Sequence, residues 1–484
     1  MTHGTRNVGR REAPPSPMGA VSTAQRAVPR TALGLAVAAL SLGSTGCGLF
    51  RRPPPSAPNV LVVVAEDLGC AELGCYGQAV IRTPHLDALA QSGMRFAEAY
   101  GGSPAHAAAH CCLLTGQHTG HAAIRGARWR PDAGALPSGI TTLGHVLRGI
   151  GHRTAVFGSW SLGEAGTTGH PRKQGFDRFF GALGPERGAA YPEFLWQDAD
   201  HSPISGRHRF APDVIAAAAV RFLEQHDARQ RFFLFLPLPL PSAGLEVPVD
   251  SLVQYKGRFP ESPAARPGVS PRAAHAARVT RLDEQIGELL AVLKRRKLEQ
   301  NTIVVFTSDH GPRRGSTSDP EFFNATGRFR SGAADPRTPS LREGDLRVPL
   351  LVRWPGKVRA GAVSYHVCAA WDLLPTLAEL TGTTAPALVD GLSFVPTLRD
   401  RPSQQRNHGY LYWEQAPDLQ AIRMGRWKAI RRRPDAPVQL FDLDRDPGEQ
   451  NELAQQQPQV VRQVEVILDA ARTPSTAFPL RRTR

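Results

Sequence analysis

The sequence predicts an α/β protein whose central sheet is largely parallel or mixed and is flanked by helices. The first observation is a set of continuous apolar segments, rich in β-branched and aromatic residues, at positions 59–65, 154–158, 232–236 and 302–308. Such segments are typical of strands that are buried on both faces of a sheet. The second observation is the helical pattern of residues 279–293, whose apolar side chains recur every three or four positions. Strands that alternate with helices predict a parallel sheet covered on both sides.

Two further helices are predicted between the first strands, at residues 85–93 and 141–150. The pattern changes after about residue 395, where short alternating segments separated by turns are followed by one helical segment, residues 458–468. This change predicts a smaller C-terminal α+β subdomain of antiparallel strands and one helix. The predicted domains are the α/β domain at 59–395, the C-terminal sheet and helix at 396–472, and a basic tail at 473–484.

The composition is that of a globular protein able to bury a core. Of the 484 residues, 41% are hydrophobic and 21% are charged, which argues against a disordered, collagenous or multi-span membrane protein. The formal net charge of +15 raises the question of a nucleic-acid partner. The arginines are scattered, however, without a long basic run or a basic helix that carries stacking aromatics. We therefore predict a basic surface and no nucleic-acid partner.

The N-terminal region predicts export. Residues 31–42 form a short apolar run that follows Arg26 and Arg30 and precedes small residues and Cys47. The run is too short to span a membrane and matches the hydrophobic part of a signal peptide. Small residues directly before a cysteine are typical of bacterial lipoprotein signals, so residues 1–46 are predicted to be the signal and Cys47 the lipidated residue. The alternative is an ordinary cleaved signal with an incidental cysteine.

Residues 47–58 are predicted to be a Pro-rich tether. The expected location is accordingly outside the cytoplasm, with the protein either anchored in the membrane as a lipoprotein or free in the periplasmic or extracellular space. Either Met1 or Met18 can be the start of translation.

Acidic residues follow two of the predicted strands. Glu66 and Asp67 come after the first strand, and Asp309 and His310 come after the strand at 302–308. Ligands gather at the carboxyl ends of parallel strands, so we expect these four side chains to lie close together. Carboxylate-rich sets favour hard divalent cations such as Ca²⁺ or Mg²⁺. The alternative is that these are ordinary surface acids at strand ends.

Several sequence blocks place these acids in a wider pattern. The blocks are PNV and AEDLG at 58–69, LGCYG at 73–77, TPHLD at 83–87, LLTG at 113–116, VVFTSDHGP at 304–312, RVPLLVRWPGK at 347–357, RMGRWK at 423–428 and LFDLDRDPGEQNEL at 440–453. In this order they resemble the sulfatase family of the alkaline-phosphatase-like superfamily, whose members are metal-dependent ester hydrolases. The resemblance covers about residues 58–470 and implies the alkaline-phosphatase-like fold. It also implies that Glu66, Asp67, Asp309 and His310 form the metal site, with Glu66 in place of the usual Asp.

The resemblance also shows where this chain departs from the family. Family enzymes carry a Cys, oxidised to formylglycine, and an Arg four residues later, shortly before the LLTG segment. Counting back from that segment places His106 at the nucleophile position and His110 at the Arg position. Cys111 and Cys112 are out of register and lack the downstream Arg, so no formylglycine is expected.

Four further basic positions of the family are replaced as well. Ser159 and Ser161 stand where the family has Lys and His, Ser242 stands where it has His, and Thr338 lies near the position of a second Lys. Glu66 is one methylene longer than Asp, a change in ligand geometry that Ca²⁺ tolerates better than Mg²⁺. We therefore expect Ca²⁺ if a metal is bound.

These substitutions predict a pseudo-sulfatase that binds a sulfated glycan or another acidic ligand, or a partner protein, without cutting it. The alternative is an active metal-dependent hydrolase of sulfate or phosphate esters. In that alternative His106 and His110, four residues apart on one helix face, join Asp67, Asp309 and His310 around a transition metal. An active sulfatase with some other nucleophile is a third hypothesis, but the sequence supplies no such residue.

Overall fold

The computed structural model describes residues 57–126, 134–183, 189–203, 209–242, 244–261, 269–313, 319–332, 340–415 and 418–480. The predicted signal segment, Cys47, most of the predicted tether, Thr338 and the last four residues of the tail lie outside these ranges. Within the described residues, no helix combines the length and the apolar character needed to cross a membrane.

The strands are defined here in chain order. They are β1 (Asn59–Glu66), β2 (Met94–Phe96), β3 (Ala99–Tyr100), β4 (His152–Ser159), β5 (Arg178–Ala182), β6 (Phe194–Gln197), β7 (Asp200–Pro203), β8 (Arg231–Pro241), β9 (Thr302–Ser308), β10 (Leu350–Arg353), β11 (Ala362–Ser364), β12 (Cys368–Ala369), β13 (Leu411–Gln415), β14 (Leu419–Met424), β15 (Trp427–Arg431) and β16 (Val438–Asp442).

The helices are numbered in the same way. They are α1 (Pro84–Gln91), α2 (His106–Thr115), α3 (Leu143–Gly149), α4 (Ala211–Glu224), α5 (Val249–Val253), α6 (Pro271–Arg295), α7 (Glu343–Leu346), α8 (Leu373–Leu380), α9 (Val395–Leu398) and α10 (Pro458–Ala470).

The central sheet is mixed, as the sequence predicts. In the described part of the chain it has ten strands in the order β11-β2-β10-β9-β1-β8-β4-β5-β6-β7. The five strands from β9 to β5 run parallel to their neighbours, whereas β10, β6 and β7 are antiparallel to theirs. The parallel strands include all four that were predicted from continuous apolar segments.

Strand β1 shows why its sequence is apolar at every position. Val60, Val62 and Val64 belong to one buried apolar layer, while the intervening Leu61 and Val63 belong to a second layer on the opposite face. The burial of each such side chain contributes about 1.5–3 kcal/mol to folding. Residues of α2, α3 and α8 pack in the first layer, and residues of α1, α4 and α6 pack in the second.

Helix α6 is longer than the pattern at 279–293 indicates. It begins at Pro271, because proline suits the first turn of a helix, where no backbone donor is needed. Its first turns are rich in alanine, which carries little apolar signal although Ala273, Ala276 and Ala277 are buried. The added turns bring Arg278 to the part of the helix that lies near the ends of β1 and β8.

The C-terminal residues form the predicted antiparallel sheet. Within the described residues, β13, β14, β15 and β16 pair in sequence order, and Val464 and Leu468 of α10 pack on the sheet. A buried ionic network joins this sheet to α7. The ammonium group of Lys428 donates to Glu343 Oε1 at 2.8 Å, and Arg347 Nε donates to Glu343 Oε2 at 2.7 Å. Lys428 and Glu343 are both fully buried.

Candidate active site

The site lies where parallel strands end on one edge of the sheet. Glu66 is the last residue of β1, Asp309 follows β9 directly, and the backbone N–H of Asp309 donates to Ala65 O at 3.0 Å. Asp67 has a left-handed backbone conformation, with φ of 63°. This turn redirects the chain after β1, so that consecutive residues Glu66 and Asp67 both face the same acidic cluster.

Asp309 is oriented by backbone donors. Its Oδ1 accepts hydrogen bonds from the backbone N–H of Asp67 at 3.0 Å and of His310 at 2.8 Å. Its Oδ2 lies 2.8 Å from His106 Nδ1. Burial alone would raise the pKa of Asp309, but His310 and His106 outweigh it and hold the pKa far below the usual range of an aspartate. Asp309 is therefore a fixed carboxylate.

His106 begins α2, and its ring points at the acids. Its Nδ1 is also 3.6 Å from Glu66 Oε1. Burial opposes protonation of this ring, but the charges of Glu66 and Asp309 raise the pKa of His106 to about 8. For Glu66 burial is the larger effect. Burial raises the pKa of Glu66 although the charge of His106 lowers it, and the charges of Asp67 and Asp309 raise it further.

His310 presents a ring nitrogen to the same acids. Its Nδ1 donates to the carbonyl oxygen of Gly311 at 2.8 Å, because a carbonyl can only accept. Its Nε2 then lies 3.3 Å from Asp67 Oδ1 and 3.4 Å from Asp309 Oδ2. A backbone carbonyl that fixes one nitrogen while the other faces carboxylates is the usual arrangement of a metal-binding histidine.

Two buried polar atoms in this cluster, Glu66 Oε2 and His106 Nε2, have no hydrogen-bond partner among the described residues. His310 Nε2 forms no hydrogen bond there either and faces only the carboxylates of Asp67 and Asp309. Buried polar atoms are nearly always paired, so these atoms indicate a place suited to an ion or ligand. Single atoms of Asp67, Asp309 and His310 all lie within 4.8 Å of one another. These residues fit a divalent cation.

The comparison with known proteins assigns the fold to a family. A family model described as Sulfatase matches residues 58–383, more than half of the chain. The chain belongs to the sulfatase family. A second model, described as N-sulphoglucosamine sulphohydrolase, C-terminal, matches residues 337–473.

Curated sulfatases are similar over most of the chain. Mouse steryl-sulfatase is 29% identical over 540 aligned positions, which cover 87% of this chain and 82% of that protein. Human N-acetylgalactosamine-6-sulfatase is 29% identical over 413 positions, which cover 79% of this chain and 73% of that protein.

Solved structures share the architecture. The complex of Ps i-CgsB with k-i-k-neocarrahexaose superimposes with a TM-score of 0.71 at 25% identity and covers 85% of this chain and 92% of its own. BT4656 in complex with its substrate D-glucosamine-2-N,6-O-disulfate gives a TM-score of 0.68 at 20% identity and covers 85% and 97% of the two chains. At 20% identity, the similarity to BT4656 shows only that the two chains share a fold.

His110, which the sequence predicts to stand at the Arg position of the family, lies one turn further along α2. The ring centroids of His110 and His106 are 4.2 Å apart. Ser161 Oγ lies 3.2 Å from His110 Nδ1, so two of the positions that were predicted to be replaced contact each other. His110 is buried, and its ring packs edge-on against Phe235 in the sheet.

Of the other three positions that were predicted to be replaced, two lie near the acids and one lies outside the described residues. Ser159 ends β4, and its hydroxyl is buried without a hydrogen-bond partner in the described structure. Ser242 follows β8, and its backbone N–H donates to Glu66 O at 3.0 Å. Both therefore lie at the edge that holds the acids. Thr338 lies outside the described residues.

The two cysteines near the nucleophile position face away from the site. Cys111 and Cys112 are fully buried among apolar side chains of the first layer. Burial raises the pKa of Cys111 to about 11 and raises that of Cys112 as well. Because the thiolate is the nucleophilic form, burial makes both cysteines poor nucleophiles.

Two arginines at the site were not predicted from the sequence. Arg313 Nε lies 3.1 Å from Asp67 Oδ1, and the charge of Asp67 raises the pKa of Arg313. Its position four residues after Asp309 could have suggested this contact. Arg278 comes from α6, and the charges of Glu66 and Asp67 act on it. It is more than 200 residues from either acid, so no local signal could have found it.

A second His and Asp cluster lies elsewhere in the structure. His121 Nδ1 is 2.8 Å from Asp390 Oδ1, and His118 Nε2 is 3.6 Å from the same oxygen. The backbone N–H of Gly120 donates to His118 Nδ1 at 3.1 Å. The proton of a neutral His118 is therefore on Nε2, which faces Asp390 and cannot bind a metal in that form. This arrangement is a hydrogen-bonded cluster.

Proposed function

We propose that this chain is a sulfatase-family protein that binds a sulfated or acidic ligand without formylglycine chemistry. The observation that carries the proposal is the contact of His106 Nδ1 with Asp309 at 2.8 Å, because we propose that His106 occupies the nucleophile position of the family. An imidazole at this place cannot become a formylglycine. Without that group the covalent route to sulfate-ester cleavage is lost.

The substitutions around His106 support the same proposal. Sulfate-ester cleavage also needs positive groups that stabilise charge on the sulfuryl oxygens, and the loss of one such donor typically lowers the rate by about 10²–10³. Ser159, Ser161 and Ser242 are uncharged groups at three positions where the family has basic residues. The combined losses leave a site that holds an ion and an anion but has little means to cut an ester.

The ligand class that we propose is a sulfated glycan or another acidic small molecule. One structural neighbour holds k-i-k-neocarrahexaose, and another holds a disulfated glucosamine. The family typically binds a divalent metal. For this chain we propose Ca²⁺, held by the carboxylates of Glu66, Asp67 and Asp309 together with His310. The bound cation would offset the negative charge of the acids and leave the site able to accept an anion.

One observation favours a second candidate function. His106 Nδ1 faces both Asp309 and Glu66, and if a metal displaced the proton that Nδ1 shares with Asp309, this nitrogen would join His310 as a second nitrogen ligand. A set with two imidazoles favours a transition metal over Ca²⁺, and such a metal could supply an activated water for hydrolysis of a sulfate or phosphate ester. His110 Nδ1 contacts Ser161, its ring packs beside that of His106, and the charge of His110 acts on Asp309.

The experiment combines metal content, binding and turnover on the purified protein. The proposal expects Ca²⁺ uptake, binding of a sulfated disaccharide, and no hydrolysis of an aryl sulfate above the rate of an Asp309→Ala variant. Hydrolysis of an aryl sulfate that is lost in Asp309→Ala would contradict it. Bound Zn²⁺ or Mn²⁺ with phosphodiester hydrolysis that is lost in His106→Ala would establish the second candidate.

The proposed location is outside the cytoplasm, with lipid attached at Cys47. The sequence of residues 31–47 supports this proposal, because a short apolar run with small residues before a cysteine is typical of lipoprotein signals. A sulfated ligand outside the cell would be accessible from such a position.

A further inference from the structure

A buried arginine lies beside the acidic cluster without an acidic partner. Arg278 of α6 has only 4% of its surface exposed. Its Nη1 donates to the carbonyl oxygen of Glu246 at 3.2 Å, and its Nε has no hydrogen-bond partner among the described residues. No carboxylate in the described structure lies within ion-pair distance of this guanidinium. A guanidinium carries five donor N–H groups, and the N–H on Nε of Arg278 is available to a bound acceptor.

The electrostatic setting of Arg278 is unfavourable in the absence of a bound anion. Burial lowers the pKa of Arg278, and the charges of Glu66, Glu246 and Asp67 only partly offset this effect. An arginine stays charged inside proteins, so the chain carries the cost of a buried and poorly paired cation. Residues that are costly to folding in this way are typical of binding sites, where the ligand supplies the missing partner.

The backbone after β8 is shaped around this guanidinium. Gly244 has a φ of +143°, and a Cβ atom added there would lie only 2.7 Å from Arg278 Nη1. A larger residue at position 244 would therefore displace the arginine. Gly244 is two residues after Ser242, where the sulfatase pattern has a histidine.

We infer that Arg278 is the anion-binding residue of this site and that it receives an oxyanion of the ligand, either a sulfate or a carboxylate group. This inference rests on the proposed function and names the residue that performs the binding. A guanidinium can donate two parallel hydrogen bonds to either group. Arg313 forms an ion pair with Asp67, and about half of its side chain is exposed. It adds a second positive charge near the same acids.

The test is calorimetric titration of the full chain, in the presence of Ca²⁺, with inorganic sulfate, glucuronate and a sulfated disaccharide. Arg278→Met is expected to weaken binding of the sulfated disaccharide by roughly 10- to 100-fold, because one charged double hydrogen bond is lost. Arg278→Lys keeps the positive charge but cannot donate two parallel hydrogen bonds, so its affinity is expected to lie between those of Arg278→Met and the unchanged protein. Arg295→Met is the matched control, because Arg295 lies on the same helix but is exposed and paired with Glu224.

Inorganic sulfate and glucuronate distinguish whether Arg278 binds a sulfate or a carboxylate group. If the unchanged protein binds inorganic sulfate more strongly than glucuronate, and Arg278→Met loses this preference, Arg278 binds a sulfate. The reverse preference assigns a carboxylate to Arg278. Thermal unfolding provides a second readout. Without ligand, Arg278→Met is expected to melt at or above the temperature of the unchanged protein, since replacement of a buried unpaired charge by an apolar group of similar size removes a cost. Added sulfate should stabilise the unchanged protein and Arg295→Met to the same extent, and Arg278→Met much less.

Two results would overturn the inference. One is equal affinity of Arg278→Met and Arg295→Met for all three probes, and the other is the absence of binding of any probe to the unchanged protein. Failure of the proposed function is a different result, namely turnover of the sulfated disaccharide. In that case weaker binding by Arg278→Met, seen as a higher KM, would still support the role of Arg278.

Discussion

At the scale of single residues, the site depends on how the carboxylate of Asp309 is held. One oxygen accepts two backbone N–H groups, from Asp67 and His310, and the other faces His106. The backbone bonds fix the orientation, so the second oxygen is presented to the cluster without freedom to turn away. That second oxygen contacts the imidazole of His106, the residue that we propose to stand at the nucleophile position.

Asp309→Asn tests whether the cluster binds Ca²⁺. With Ca²⁺ about 100-fold above its Kd, the unchanged protein is expected to gain about 2.7 kcal/mol of stability. The side-chain amide of this variant would bring an N–H₂ group into the ligand set, so the variant should gain almost nothing. Thermal unfolding with Ca²⁺ and with EDTA measures the difference.

The control for this prediction is Asp390→Asn, in the hydrogen-bonded cluster with His118 and His121. Because His118 Nε2 carries the proton there, the response of Asp390→Asn to Ca²⁺ should equal that of the unchanged protein. If Ca²⁺ no longer stabilised Asp390→Asn but still stabilised Asp309→Asn, the ion would be bound at the cluster of Asp390, and our assignment would be refuted.

Some of the residue-level description could be predicted from the sequence, and some could not. Glu66, Asp67, Asp309 and His310 follow strands, and strand ends are visible as the ends of apolar runs, so their convergence was predicted. Arg278 reaches the site from a helix, and its position depends on how α6 packs on the sheet. A tertiary contact of this kind leaves no trace in local sequence.

At the scale of elements, helix α6 holds α1 through a single buried carboxyl. Asp283 accepts hydrogen bonds from the backbone N–H of His85 at 3.1 Å and of Leu86 at 2.7 Å, which are unpaired donors in the first turn of α1. Burial raises the pKa of Asp283 to about 6. The folded state therefore retains a proton that the unfolded chain loses at a lower pH.

Asp283→Asn is expected to change the pH dependence of stability. Between about pH 4 and pH 6 the folded protein binds more protons at this position than the unfolded chain does, so this group lowers the free energy of unfolding by up to ~1.4 kcal/mol per pH unit as the pH rises. The variant lacks this contribution. Urea unfolding at pH 4.5 and at pH 7 should show the variant gaining stability relative to the unchanged protein as the pH increases. A constant difference between the two proteins would be inconsistent with a raised pKa at Asp283.

The buried pair of Lys428 and Glu343 joins the C-terminal sheet to α7. Removal of Lys428 leaves the buried carboxylate of Glu343 with Arg347 alone, and the loss of one partner from a buried ion pair typically costs up to about 3–5 kcal/mol. Lys428→Met is therefore expected to lower the urea midpoint strongly, while Lys294→Met, at an exposed position of α6, should leave it nearly unchanged. Similar midpoints for both variants would show that the pair does not stabilise the protein.

The elements themselves were predictable to different degrees. The continuous apolar runs of β1, β8 and β9 marked them as central strands, and alternation with helices indicated a mainly parallel sheet. Strand β10 is antiparallel to β9, and its direction depends on the path of the chain around the site. Short strands such as β2, with three residues, are too brief to give a pattern.

At the scale of the whole molecule, the chain combines a sulfatase fold with an N-terminal segment that we propose to be an export signal and a Pro-rich tether. The similarity to the Sulfatase model begins at residue 58, where the proposed tether ends.

Cys47→Ser tests the proposed lipid anchor. When the full chain is expressed in a bacterium with radiolabelled palmitate, the unchanged protein should carry label and sediment with membranes. The variant should carry none, because its side chain cannot form the thioether. Recovery of the unchanged protein as a soluble, unlabelled product would contradict lipid attachment and favour an ordinary cleaved signal.

The central claim, that this site holds a sulfated ligand without cutting it, is tested most directly by the fate of a bound ligand. The purified protein, loaded with Ca²⁺, is incubated with a sulfated disaccharide for many hours, and the released sulfate and the mass of the recovered sugar are measured. Our account predicts that the sugar is recovered with all its sulfate groups, as it is from Asp309→Asn. Sulfate release by the unchanged protein alone would contradict the account.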